Sequence, residues 1–496
     1  MRRKDGRLTR AALWLIYLPP LALLLLQALA SVQHLWGVVR FPYQLDYGEA
    51  PELNRAVRLA RGEPIYVDWS HPPYQMANYT PLYPAVVSLG VRVTGPDFLP
   101  GRALSFASTL GVAGLLALTA RALGAGGPGA LFAALLWLGA HPVWIWGAYQ
   151  RVDALAMLLE LAGVTVFALG WMERKARWAV WASVPLFVAA AYTRQTSVAG
   201  AFACYGYLLF RRPRLAAAAI AAYGALGLGL LELGQLATGG LMWKHIVEGN
   251  LNAWSLETFR RYAKPLWELQ SWAFVLAGAG LALGARRWRS QLPLLYLLAA
   301  AATTLTVGKI GAYVNYLFPL CAALALCAGL ALGELARLHL RPALLWYVPQ
   351  IAVSLGIVVG VRAMDRRAWP DLYRVEPAAG ALESARQAQE YVARLSGDVF
   401  SEDMAFTVTT GKRIYLQPFE FSQLAHQGAW DQRPLLDDVR TGRFVAAVLR
   451  FDLAGDPSWH AERLTDELLA ALREAYVPAA VYGDYYIYRP ASHRSS

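Results

Sequence analysis

The chain has 496 residues, 57% of them hydrophobic and only 16% charged, with a mean hydropathy of +0.33; a soluble domain carries roughly 25% charged residues. So few charges cannot cover a soluble protein of this size, so the apolar excess faces lipid, which excludes disorder, collagen, coiled coil and an ordinary cytosolic enzyme. The net charge of +12 has to be located before it suggests nucleic acid, and Cys204, Cys321 and Cys327 all lie in apolar runs that suit neither a disulfide framework nor a CxxC metal site.

Taken in chain order, Arg2, Arg3, Lys4, Arg7 and Arg10 precede an apolar run over 11–32. Ala28-Leu29-Ala30 imitates a signal-peptidase site, but the run is long and many more follow, so a retained first helix is expected. Further spans are expected at 103–122, 129–148, 154–171, 178–193, 196–210, 215–237, 267–285, 291–308, 316–335 and 343–361, about eleven in all. The segment 83–94 is apolar but short and broken by Pro84 and Gly90. Treated as an interfacial helix, it lets every short basic cluster fall on the cytoplasmic side: the N-terminus, Arg174-Lys175-Arg177, Arg211-Arg212-Arg214, Arg286-Arg287-Arg289 and Arg337/Arg341. The N-terminus is then cytoplasmic and the tail extracytoplasmic, in a multi-pass plasma-membrane protein. Much of the positive charge is topological, so the bilayer is a partner and nucleic acid is not.

The tail, 362–496, changes character. It reads as a helix over 380–395, a strand over 398–400, a helical region over 423–441, a buried strand over 444–451, an amphipathic helix over 461–475 and alternating aromatics over 479–488. The fold class is therefore mainly α: a polytopic membrane helical bundle (1–361) with a small C-terminal extracytoplasmic α/β domain. No fixed-period repeat or low-complexity tract is present. Gly224-x-x-Gly227-x-Gly229 and Gly280-x-x-x-Gly284 lie inside spans and suit close helix packing.

The same parity places Asp46, Glu49, His71, Arg102, Arg151, Asp153, Arg194, Lys244, His245 and Lys309 at or near the extracytoplasmic side. The loop 33–101 between the first two spans carries Leu45-Asp46-Tyr47-Gly48-Glu49. A carboxylate just past a span can be a general base or metal ligand; the competing reading is that Asp46 caps a helix bearing Glu49 and Glu52. Arg151 and Asp153 form a second polar island that either pairs internally or serves a ligand. Arg194 and Lys309 either snorkel to head groups or gather round an anion. His71 alone is a weak acid/base or metal signal. The segment 243–264, with Asn250, Asn252 and Trp254, suits either sugar contact or an interfacial helix. Asn78-Tyr79-Thr80 fits a glycosylation sequon by chance, and Glu402-Asp403 and Asp456 read as solvated loop residues. Carboxylates and cations converging on one face suit a substrate that bears phosphate and must lose a proton, such as a lipid-linked phosphosugar.

In these motifs the sequence resembles the GT-C superfamily of polytopic glycosyltransferases, which includes aminoarabinose transferases, protein O-mannosyltransferases and oligosaccharyltransferases. Asp46 and Glu49 look like its first-loop acidic motif, often an adjacent Asp-Glu. His71-Pro72-Pro73 sits where many members carry Lys-Pro-Pro, and Arg151-Val152-Asp153 looks like the second-loop acidic motif. Thr193-Arg194-Gln195-Thr196 is similar to Thr-Lys-Gln-Thr, and Asn315-Tyr316-Leu317-Phe318-Pro319 to a late Asn/Arg-Tyr-x-x-Pro element. The spaced acidic pair and Arg for Lys at 194 are departures. The resemblance implies transfer of a sugar from a polyprenyl-phosphate donor to a lipid, glycan or protein acceptor. Asp46 would be the base, Glu49 would position it or bind the acceptor, and Asp153 would orient the acceptor or help hold a divalent metal ion, which some relatives use and others do not. Arg102, Arg194 and Lys309 would face the donor phosphate, with His71, Arg151, Tyr313, Asn315 and Tyr316 around the substrate. The competing class is a transporter or lipid flippase, which internal inverted repeats and midplane charges would favour; neither is evident. A membrane scaffold presenting the tail is the other competitor, and it leaves the acidic residues without a task.

Overall fold

The computed structural model describes residues 2–285, 291–338, 344–368, 380–455 and 462–491. Arg286, Arg287, Arg289, Arg341 and Asp456, and the side chains of residues 1–10, lie outside what is described. Apolar runs become helices because a chain in lipid must satisfy its own backbone polar groups. Among the described residues, eight helices are long and apolar enough to cross a membrane, beginning with Ala11–Arg40 and Leu99–Leu123. The expected spans near 129–148, 178–193 and 196–210 coincide with shorter apolar helices, Gly126–Leu138, Trp178–Thr193 and Ala199–Leu209. The segment read as interfacial is the short helix Leu82–Thr94. The last apolar helix runs on to Ala368.

Val314–Ala336 is the bundle's centre, with 89% of its apolar window buried. It packs between Leu256–Gly284 and Gly126–Leu138. Gly129 and Gly329 face each other there, each so close that a Cβ on one would overlap the carbonyl oxygen of the other. Gly280 likewise abuts Ala331, whose backbone nitrogen lies 3.0 Å from where a Cβ would stand. The glycines at 224, 227 and 229 correct the packing expectation. Nothing lies within 4 Å of a Cβ at any of them, because Pro213–Thr238 sits at the rim of the bundle with only 11% of its window buried.

In the C-terminal region, β1 (Val399–Ser401), β2 (Ala446–Leu449), β3 (Tyr476–Tyr482) and β4 (Tyr485–Pro490) form one sheet in the order β1-β2-β4-β3. β1 and β2 are parallel and the other pairs antiparallel. Ala381–Arg394 and Asp466–Ala475 are helical as expected. The helical region expected over 423–441 is two helices, Pro418–His426 and Arg433–Arg440. Gly428 takes a positive φ of 66° between them, which ends the first helix. Glu402 and Asp403, expected in a solvated loop, are 1% and 5% exposed; burial pushes the Asp403 carboxyl up to about 6.

This region is stitched to the first loop. Tyr74 N–H donates to the Tyr415 carbonyl (2.7 Å) and Gln417 N–H to that of Tyr74 (3.1 Å). Met76 N–H donates to Gln417 Oε1 at 2.8 Å, and Gln75 Nε2 to the Ile414 carbonyl.

Candidate active site

The helix Glu49–Ala60 follows directly on the Leu45–Gly48 turn, with Glu49 N–H donating to the Asp46 carbonyl at 3.1 Å. The Glu49 carboxylate accepts from the N–H groups of Leu45 (2.9 Å) and Asp46 (3.2 Å), while Asp46 Oδ2 accepts from Gly48 N–H at 2.9 Å. Each carboxylate therefore helps to fix the turn. Glu49 is wholly buried and fork-paired with Arg102, Nε to Oε1 at 2.8 Å and Nη2 to Oε2 at 2.6 Å, with Gln150 N–H on Oε1. Burial raises the Glu49 carboxyl, but the Arg102 guanidinium and these N–H groups outweigh it and hold it below the usual range. Arg102 gives its remaining donors to the Val38, Phe41 and Tyr43 carbonyls. Glu49 and Arg102 were expected at the acidic centre and the donor phosphate respectively. They are instead spent on each other behind the turn.

Asp46 is different. It is partly open, at 20% side-chain exposure, and faces Arg151 Nη1 at 3.4 Å. Withdrawal from water raises its carboxyl above the ordinary range against the pull of Arg151. Gly48 makes the pairing possible: a Cβ there would overlap the Arg151 guanidinium. The charged cavity position thus holds for Asp46, but the capping reading does not: Gly48 precedes the helix, no side chain caps it, and Asp46 Oδ2 closes only the turn onto Gly48 N–H.

Asp46 and Arg151 open into a cavity of about 310 Å³, whose other walls include Lys309, Tyr313, Asn315 and Tyr316. Among the described lining residues, Arg55, Arg151, Arg261 and Arg463 each have a carboxylate partner. Lys309 reaches only Asn250 Oδ1 at 3.5 Å, and burial with the nearby Arg194 charge lowers its ammonium to about 8. A half-buried cation without a carboxylate is a place where an anion is favoured.

Asp153 and Arg194 lie one layer behind the wall. Arg194 Nη1 meets Asp153 Oδ1 at 2.9 Å, and the same oxygen accepts from Asn315 Nδ2. Trp146 Nε1 donates to Asp153 Oδ2 at 3.0 Å, and the Arg194 guanidinium lies 4.1 Å from the Tyr316 ring centre. The pair thus orients Asn315 and Tyr316, which do face the cavity. Asp46 and Asp153 both act electrostatically on Arg151, so the first two loops meet. His71 is exposed beside Asp68 and Ser70, away from the cavity. His245 is buried between Ala77 N–H and the Val67 carbonyl and stays neutral, its pKa lowered to about 4. Asn250 and Asn252 from the 243–264 segment do line the cavity, as does Asn78.

A divalent ion does not suit this donor set. Asp46 faces a guanidinium, both Asp153 oxygens are taken, and no three His, Cys, Asp or Glu side chains gather among the described residues.

Several wall residues carried no signal in the sequence. Glu52 and Arg55 pair on the cavity side of the Glu49–Ala60 helix, a position visible only once the helix face is fixed. Phe419, Glu420, Glu462 and Arg463 arrive from the C-terminal region.

No protein-family model and no curated protein matches the sequence. Solved structures do. ArnT from Cupriavidus metallidurans bound to undecaprenyl phosphate superposes with a TM-score of 0.61 at 15% identity, over 94% of this chain and 97% of that one. Its apo form gives 0.63 at 13%, with the same coverage. The oligosaccharyltransferase of Archaeoglobus fulgidus, tethered to an acceptor peptide, gives 0.57 at 11%, over 94% of this chain and 73% of that one. The chain shares the fold of these two proteins. It is that of a multi-pass membrane protein, as the apolar helices require.

Proposed function

We propose that this protein transfers a sugar from a polyprenyl-phosphate-linked donor to an acceptor at the outer face of the membrane. The observation that carries this reading is one cavity holding both a carboxylate with a raised pKa, Asp46, and a cation without a carboxylate partner, Lys309. The fold adds support, since its neighbours include one protein bound to undecaprenyl phosphate and another in complex with dolichol-phosphate.

The acceptor hydroxyl or amine gives its proton to Asp46 as it attacks the anomeric carbon. The carbon–oxygen bond to phosphate breaks, and the electron pair leaves with the lipid phosphate. General-base help of this kind is worth about 10²–10⁴-fold. Lys309 stabilises the charge that develops on the departing phosphate. Arg151 keeps Asp46 ionised and aimed, while Asp153 and Arg194 hold Asn315 and Tyr316 against the sugar. Tyr313 closes the wall beside them.

Eleven crossings of alternating direction would set Asp46, Arg151, Arg194, Lys309 and the C-terminal region at one end and Arg174, Lys175, Arg177, Arg211, Arg212 and Arg337 at the other, with the basic end cytoplasmic as the positive-inside rule requires. Asp46→Asn should abolish release of undecaprenyl phosphate from undecaprenyl-phosphate-linked hexose or pentose donors, leaving the melting temperature and lipid-phosphate binding near wild type. Turnover retained in that variant rejects the assigned base.

A further inference from the structure

The residue between the two first-loop landmarks, Tyr47, is gripped from the far end of the sequence. Its hydroxyl accepts from Phe419 N–H at 2.9 Å and donates to Glu420 Oε2 at 3.0 Å. The Arg463 guanidinium stands 4.8 Å from the centre of its ring. Arg463 is itself anchored, donating from Nη1 to Oε1 of the buried Glu402 at 2.9 Å. Phe419 is wedged on its other side against the loop that carries Lys309: Gly311, at φ +83°, brings the backbone so near that a Cβ would stand 2.8 Å from Phe419 Cε1. Hydrogen bonds on both sides of one hydroxyl, a cation on the ring and an aromatic wedge fix a side chain that also packs against the apolar cluster containing Ala50, Leu53 and Tyr83.

We propose that Tyr47 is a positioning residue through which the C-terminal region holds the Asp46 loop against the reaction cavity. The region thereby becomes part of the reaction chamber, with Phe419, Glu420 and Arg463 setting the register between the Asp46 loop and the Lys309 loop. This rests on the reading of Asp46 as base. The groups that act on Asp46 come from several neighbouring elements: Glu49 at the start of the following helix, Arg151 and Tyr149 from the second loop, Tyr313 from the Lys309 loop, and Arg463 from the C-terminal region. Arg463 is the cation in that set that arrives through the Tyr47 clamp, and it favours the ionised carboxylate.

The test needs two variants and a readout that a role in folding alone does not move. Tyr47→Phe keeps the ring and removes the hydroxyl. With undecaprenyl-phosphate-linked hexose and pentose donors, its kcat should fall about ten- to a hundredfold, as a displaced catalytic group does, with donor KM within twofold of wild type. Arg463→Gln removes the charge. Isotope-edited infrared titration of aspartate, with the Asp46 band identified by its loss in Asp46→Asn, should show that carboxyl titrating at higher pH in Arg463→Gln, with Arg463→Lys returning it towards wild type. This arm needs no substrate. An Asp46 titration unmoved by Arg463→Gln, or a Tyr47→Phe kcat within twofold of wild type, overturns the proposal. If Asp46→Asn is inactive while Tyr47→Phe is unaffected, the positioning role falls and the base stands. If Asp46→Asn turns over normally, the base falls first.

Discussion

Three residues apart, Asp46 and Glu49 end in different surroundings because Gly48 lets Arg151 approach one while the helix turns the other inward onto Arg102. Removing one partner of a buried pair leaves an uncompensated charge and costs about 3–5 kcal/mol. Arg102→Met should therefore lower the unfolding temperature sharply, whereas Asp46→Asn, at a partly open pair, should shift it little; thermal unfolding in detergent distinguishes the two. Lys309 makes a pH prediction whose sign follows from its lowered pKa of about 8. The ammonium is charged below that value and neutral above it, so donor kcat/KM should fall as pH rises through about 8. Lys309→Arg keeps its charge across the accessible range, so its donor kcat/KM should stay level where wild type declines. A wild-type profile level through pH 8 to 9 removes Lys309 from the phosphate role.

At the scale of helices, glycine position matters more than glycine count. The Gly129–Gly329 crossing has no room for a side chain, whereas a Cβ at Gly227 would meet nothing within 4 Å, although its carbonyl accepts from Tyr192 Oη at 2.7 Å. Gly129→Leu should destabilise by at least the roughly 1–3 kcal/mol typical of overpacking. Gly227→Ala should be neutral or stabilising by up to about 1 kcal/mol through helix propensity. Unfolding temperatures of the two variants check this directly, and equal losses would contradict the assigned packing. Both stretches carry small residues within apolar runs, so the sequence pattern alone placed the close contact at 224–229 as readily as at 280; which helix lies at the rim depends on how the bundle closes.

For the molecule as a whole, the joint between the first loop and the C-terminal region is what encloses the cavity. Gln417 contributes by accepting from Met76 N–H. Gln417→Ala leaves that buried donor without its partner, at roughly 1–3 kcal/mol, so hydrogen exchange of the Met76 amide should accelerate by about tenfold or more; unchanged protection would show that the joint holds without it. Hydropathy and short motifs were enough to give the membrane class, the helical bundle and the small C-terminal α/β region, and to set on one side Asp46, Arg151, Lys309, Tyr313, Asn315 and Tyr316, which line one cavity. These are readable because lipid forces apolar runs into helices and alternating helices sort polar residues by parity. Parity fixes an end, not a depth or a neighbour. Only the tertiary structure decided that Glu49 and Arg102 neutralise each other, that Asp153 and Arg194 stand behind the wall, and that Glu420 and Arg463 reach the cavity across more than 370 positions of chain from Tyr47. Pairing of charges is a matter of a few ångströms, and that distance is set by packing between segments that no local pattern connects.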